Sequence, residues 1–280
     1  MFVADVKGDL SSGTIYAAKL SNQAGSAPNG LGTEWDVSWI RLGHGKQGKL
    51  KSMVNKIQFT DMFDTAAVIG TGATASCPAG YTLLSTVGRG SADYQVPPPP
   101  GNSNTYRFLE CVKIKPGMQD VAAFFETRRV AGILGATMEF EKLEGVTYNP
   151  KTKRAYIALA RFSSGALDGA TTTPPWRWDQ VTANDMRLPP NRCGAVMELD
   201  LGIDWRPTKM RVMLAGTESN QFGQSTGRCD MDQIAGPDNL HMIPGTSTLI
   251  IAEDIRPDRG HPSNFIWAYD TLRPEKGLVR

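Results

Sequence analysis

The sequence predicts an all-β chain, a β-propeller of four-stranded antiparallel blades with short helical decorations. Three observations carry that expectation. The first is punctuation: 29 Gly and 18 Pro in 280 residues exceed what long helices tolerate and suit a chain that turns often between short strands. The second is a set of apolar, β-branched and aromatic runs bounded by turn formers, at residues 13–20, 104–114, 193–200 and 264–270, each with the length and composition of a strand. The third is an internal repeat. Glu144 to Ala160 lies without gaps over Asp238 to Asp254, an offset of 94 residues.

Within the repeat, Pro150 meets Pro244, Thr152 meets Thr246, Ile157 meets Ile251 and Ala158 meets Ala252. Each copy reads as an acidic residue, a strand, a proline-containing turn and a second strand. A four-stranded blade takes roughly 40–50 residues, so the offset corresponds to about two blades. On this reading 193–200 closes the blade of the first copy and 264–270 that of the second. Residues 1–280 then form part of one propeller domain.

Two segments carry helical spacing instead. In 49–63 the apolar residues are Leu50, Met53, Val54 and Ile57, and in 121–134 they are Val121, Phe124, Phe125 and Leu134. Pro97 to Pro100 keep 91–103 out of any helix or central strand, and 165–191, rich in Gly, Thr and Pro around Trp176 and Trp178, reads as a second long loop.

Composition narrows the function. Thirty Lys and Arg against 28 Asp and Glu leave a formal charge of +2, which gives no footprint for wrapping a nucleic-acid backbone or adhering to an acidic membrane. No apolar stretch is long enough for a membrane-spanning helix. Cys77, Cys111, Cys193 and Cys229 are widely spaced, with no Cys-x-x-Cys pair and no nearby His, so a zinc finger is excluded. Buried thiols or one to two structural disulfides remain, and an even count in such a chain leans towards an oxidising compartment. His44, His241 and His261 are too scattered for a zinc enzyme. His241, beside Leu240 in an apolar strand, reads as a packing residue.

The innermost strand of each propeller blade lines a channel, so acidic residues opening such strands meet one another. Crowded carboxylates repel, and a cation relieves the repulsion. Hard oxygen ligands suit Ca²⁺ and, with nitrogen or thiolate help, iron. Glu144, Asp238, Glu253 and Asp254 are the metal-ligand candidates. The Arg128-Arg129 pair reads either as a solvated helix face or as the source of a guanidinium for a phosphate oxyanion.

Glu126-Thr-Arg-Arg-Val-Ala131, Gly135-Ala-Thr137, and Glu141-Lys-Leu-Glu-Gly-Val146 leading to Asn149-Pro-Lys-Thr-Lys153 resemble the central signature of the PhoX alkaline phosphatase family. Gly236-Pro-Asp-Asn-Leu240 and Leu249-Ile-Ile-Ala-Glu-Asp254 are similar to its later Pro-Asp-Gly-Leu and strand-ending Asp, and Gly13 to Lys19 resembles one of its strands. The resemblance implies a secreted or periplasmic, calcium- and iron-dependent (Ca²⁺, Fe³⁺) phosphomonoesterase on a propeller. Glu144 takes the place of a metal-binding Glu, and Asp238 and Asp254 take later acidic positions. Lys142 and Arg128 would offer positive charge to the phosphomonoester substrate. Lys142 stands where the family commonly has Arg, and Leu143 where it has Pro, so the bidentate fork is lost there. Family members are longer, with a Cys ligand and acidic ligands upstream that none of the four cysteines matches. The resemblance thus implies a C-terminal portion, with an upstream segment or second chain completing the ring. A calcium-dependent propeller lactonase or esterase and a non-catalytic propeller module are the alternatives.

Overall fold

The computed structural model describes residues 2–5, 12–25, 27–70, 75–88, 106–162, 165–168, 184–219 and 228–280. The loop expected at 91–103 lies outside them, as does most of the one at 165–191. Among the described residues strands make up 44% and helix 13%, in antiparallel sheets, so the class is mostly β. The contacts gather into two units: Met1–Lys19, Trp39–Glu139 and Gly169–Asp185 form the first, and Leu20–Ser38, Phe140–Asp168 and Met186–Arg280 the second. The long strands β2 (Ser12–Ala24) and β3 (Glu34–Lys46) contribute residues to both, and β1 (Phe2–Asp5) pairs antiparallel with β2.

In the first unit, β4 (Phe63–Ala66), β5 (Thr82–Gly88) and β6 (Tyr106–Ile114) form a sheet of order β4-β6-β5, tied by the Cys77–Cys111 disulfide. The helix expected over 49–63 is two short ones, α1 (Gln47–Met53) and α2 (Phe59–Met62). Asn55 turns left-handed at φ 62° between them, and Phe63 leaves α2 for β4. The helix expected over 121–134 likewise divides into α3 (Gln119–Phe125) and α4 (Thr127–Ile133), because Glu126 departs from helical geometry at φ −135°, ψ 47°. Val121, Ala122, Val130 and Ala131 pack with Leu42 in one apolar core. Gly43 permits that approach: a Cβ there would lie 2.6 Å from the Ala123 Cβ.

The second unit holds two four-stranded antiparallel meanders. The first runs β7 (Leu143–Asn149), β8 (Arg154–Leu159), β9 (Ala195–Leu201) and β10 (Pro207–Ala215). It is not a separate four-stranded blade, because β10 pairs onward with β3 and the strands belong to one seven-stranded sheet of order β1-β2-β3-β10-β9-β8-β7. The second runs β11 (Pro237–Met242), β12 (Thr248–Glu253), β13 (Ile266–Asp270) and β14 (Leu278–Val279). The strands expected at 193–200 and 264–270 are therefore third strands, not closing ones. An offset of 94 spans one meander with its connections, lengthened by the segment between β8 and β9, rather than two blades.

The repeat itself is a structural one. Strand β7 pairs with β8 through Leu143–Leu159, Val146–Ile157, Thr147–Tyr156 and Tyr148–Ala155. Strand β11 pairs with β12 through Pro237–Glu253, Leu240–Ile251, His241–Ile250 and Met242–Leu249, the same pairs displaced by 94. Both ladders break at the same place, where Glu144 and Gly145 oppose Ala158 and where Asp238 and Asn239 oppose Ala252. A bulge of two residues against one re-aims the side chains at that point. Just before it, Lys142 (φ 49°) and Gly236 (φ 55°) are both left-handed, and their carbonyls accept the Ala160 and Asp254 N–H groups, both at 3.0 Å.

Tyr156, Ala158 and Val196 of the first meander pack against Leu240, Met242, Leu249, Ile251 and Trp267 of the second. Full burial of such side chains contributes about 1.5–3 kcal/mol each, so this shared core fixes how the two hairpins meet.

Candidate functional site

Hairpins β7–β8 and β11–β12 touch at their bulges. A Cβ on Gly145 would fall 2.4 Å from the Asp238 carbonyl oxygen and 2.6 Å from the Leu240 nitrogen, so only glycine lets the two backbones approach this closely. Further along, the Met242 N–H donates to Thr147 Oγ1 at 3.1 Å, and Asn149 Nδ2 donates to the Thr246 carbonyl at 3.1 Å. These contacts set Glu144, from one bulge, beside Asp238 from the other.

Electrostatics shows the result. Partial burial, then the charges of Glu144 and Asp254, push the Asp238 carboxyl above its ordinary range, against the opposing pull of Lys142. Glu144, Asp254 and Lys142 thus all act on Asp238. Lys142 Nζ lies 2.8 Å from Glu144 Oε1, and Asn239 Nδ2 donates to Asp238 Oδ2 at 2.8 Å. The donor set consists of oxygens, the chemistry of a hard cation. All four cysteines are consumed in the disulfides Cys77–Cys111 and Cys193–Cys229, so no thiolate is at hand for a softer metal. Among the described residues, no three His, Cys, Asp or Glu side chains stand close enough to make a ready metal cage. The cluster would have to draw together around a cation, with Lys142 released from Glu144.

Glu253 does not belong with it. Its side chain is fully buried, and its two oxygens accept four hydrogen bonds: Oε1 from the Ala235 N–H at 2.8 Å and Trp267 Nε1 at 2.7 Å, Oε2 from the Phe265 N–H at 3.0 Å and His261 Nδ1 at 2.9 Å. A carboxylate offers about four acceptor sites, and all are filled, which corrects the expectation that Glu253 is a metal ligand. The signal was present in the sequence: Leu249, Ile251 and Glu253 share one face of β12 by strand alternation, and that face is the core. The same alternation corrects His241, which stands exposed while its neighbours Leu240 and Met242 are buried.

Arg128 stands exposed on α4 in the first unit. Its neighbour Arg129 is the engaged member of the pair, bound to Glu110 at 2.8 Å and Glu126 at 2.5 Å and lying over the Phe59 ring. Sequence reasoning passed over Arg161, two residues beyond β8 and next to Ala160, whose N–H binds the Lys142 carbonyl. Among the described residues, the buried Arg161 Nε has no hydrogen-bond partner. It also passed over the balanced group in which Arg154 and Arg211 hold Glu198 and Asp200. Sequence reasoning also passed over Gly223-Gln-Ser-Thr-Gly227, a Gly-x-Ser-x-Gly spacing that lies outside the described residues.

No helix is long and apolar enough to cross a membrane among the described residues. No family model, curated protein or solved structure matches the chain.

Proposed function

We propose that the chain is part of a propeller-based, metal-dependent phosphomonoesterase of the PhoX type, with Glu144, Asp238 and Asp254 holding the metal. The observation that carries this reading is the meeting of Glu144 and Asp238 in two touching bulges, with Asp254 and Lys142 in electrostatic range. Calcium suits the oxygen donors, and the iron implied by the resemblance would find only oxygen ligands in this cluster. When bound, such ions would supply Lewis-acid stabilisation of charge on phosphate oxygens.

The chain's own residues have separable parts to play. The three carboxylates would hold cations, and Lys142 would turn from Glu144 to a phosphate oxygen. The left-handed Lys142 favours a functional role, because non-glycine residues in that conformation cost roughly 1–3 kcal/mol and persist mainly where the surroundings or the function demand them. The equivalent position in the other copy is Gly236. Arg161, next to Ala160 in the chain, would supply the planar fork that Lys142 lacks. The role given to Arg128 rests on the sequence alone.

The propeller reading draws support from the adjacent meanders, whose first strands β7 and β11 lie side by side. It also calls for further blades. Ile250 and Ala252 lie 94 residues on from Tyr156 and Ala158, which are buried under the second meander, yet they are only half-buried. On the same face Ile266 and Val279 are 65% and 59% exposed. That is the surface another blade would cover. Two disulfides favour an extracellular or periplasmic setting.

The test is Glu144→Gln in the complete protein, assayed for phosphomonoester hydrolysis and bound metal. Both should be lost. Retention of both would overturn the reading, and lactone hydrolysis without phosphatase activity would point to the calcium-dependent lactonase alternative.

A further inference from the structure

We propose that Glu253 and His261 form a buried positioning pair that sets the spacing of Asp238 and Asp254. The inference rests on reading those two carboxylates and Glu144 as one site, and its test keeps the two claims apart. Both side chains of the pair are fully buried. His261 Nδ1 faces Glu253 Oε2 at 2.9 Å, and Nε2 faces the Asp230 carbonyl oxygen at 2.9 Å. The Asp230 carbonyl only accepts, so Nε2 carries a proton, and an ionised Glu253 opposite Nδ1 favours the doubly protonated ring. Burial pulls the His261 pKa down, but its bonds to Glu253 and Asp230 and the Glu253 charge carry it above its ordinary value.

The donors converging on Glu253 come from separate stretches of chain. The Ala235 N–H fixes the strand entry three residues before Asp238, and Phe265 and Trp267 fix β13. Glu253 itself is the residue before Asp254, whose N–H binds the Gly236 carbonyl at 3.0 Å. One buried carboxylate therefore ties the backbone leading into Asp238 to the backbone carrying Asp254. The Cys193–Cys229 disulfide braces the same corner, since Gly236 donates to the Cys193 carbonyl at 2.8 Å and Asp230 follows Cys229.

Stability alone does not account for this choice. At the equivalent place in the first copy, Leu159 fills the core with no charge, fully buried. A buried ion pair is weak evidence for stability against an apolar replacement, whereas directional bonds fix geometry, which is what supporting residues around a functional site supply.

The experiment uses the full chain carrying His261→Gln and, separately, Trp267→Phe, which removes a single donor from Glu253 and is the milder change. The side-chain carboxyl ¹³C resonances of Asp238 and Asp254, hydrogen exchange at the Asp254 amide, and calcium affinity are measured beside the wild type. Both resonances should move, and exchange at Asp254 should speed at least tenfold in His261→Gln and less in Trp267→Phe, with amides of the β4–β6–β5 sheet unchanged. Unmoved resonances and unchanged exchange in either folded variant would overturn the inference, as would a loss of thermal stability with the Asp238 and Asp254 signals intact. Should the wild type bind no calcium while those signals move as expected, the positioning pair stands and the metal reading falls. Should calcium bind with equal affinity in all three chains, the metal reading stands and the positioning pair falls.

Discussion

Leu159 and Glu253 hold the same place in two copies of one hairpin, each opposite the residue before a bulge, at Leu143 and Pro237 respectively. Both are buried. The first copy fills its position with hydrocarbon and leaves the strand end to the Ala160–Lys142 backbone bond. The second fills it with a charge and spends four hydrogen bonds, a histidine and an indole on it. The ladder and bulge therefore come from the shared pattern, while the precision with which an acidic side chain is held comes from what lies beneath it.

The comparison breaks most visibly at Glu253. Glu253→Leu imitates the first copy but leaves His261, Trp267 Nε1 and two backbone N–H groups without their acceptor, and should cost about 3–5 kcal/mol. A urea unfolding curve measures it, and a loss under about 1 kcal/mol would mean that the network is dispensable. Leu159→Ala creates a cavity instead and should cost about 2–5 kcal/mol, with no effect on Asp238 or Asp254.

The left-handed pair sharpens the comparison on a smaller scale. Gly236→Ala puts a Cβ at 2.7 Å from the Ile255 Cβ in a conformation that side chains avoid, and should destabilise by about 1–2 kcal/mol. Lys142→Gly relieves the same conformation and loses only an exposed ion pair, so the change should be neutral to stabilising by at most about 1 kcal/mol. Equal signs for the two substitutions would show that Lys142 and Gly236 are not equivalent.

The smallest effect is in pH. His261 has a folded pKa raised above its ordinary 6.5, so its contribution to stability is complete below that value and is lost as pH rises through the folded pKa. The melting temperature should therefore fall across that rise in the wild type more than in His261→Gln. Parallel profiles would show that the imidazolium does not support the fold.

The repeat was legible because its turn prolines and strand pattern recur at a fixed offset, and because register follows from alternation once one face is buried. Glu144, Asp238 and Asp254 were legible as acidic residues in equivalent or adjacent places. The true length of the repeat unit was not, since the segment between β8 and β9 hides where one meander ends. Alternation puts Glu253 on the buried face of β12 with Leu249 and Ile251, but the donors that fill it, from Ala235, His261, Phe265 and Trp267, are brought to it only by folding. The helix breaks at Asn55 and Glu126 are similarly invisible to apolar spacing, which continues through both.

If the two touching bulges make one cation site, calcium should bind there. A calorimetric calcium titration tests it most directly, comparing the wild type with Glu144→Gln and with Glu275→Gln, an exposed control. The wild type and the Glu275 variant should bind alike, with binding weakened at least tenfold, or about 1.4 kcal/mol, in Glu144→Gln. Equal affinity in all three chains, or no binding by the wild type, would contradict a single cation site.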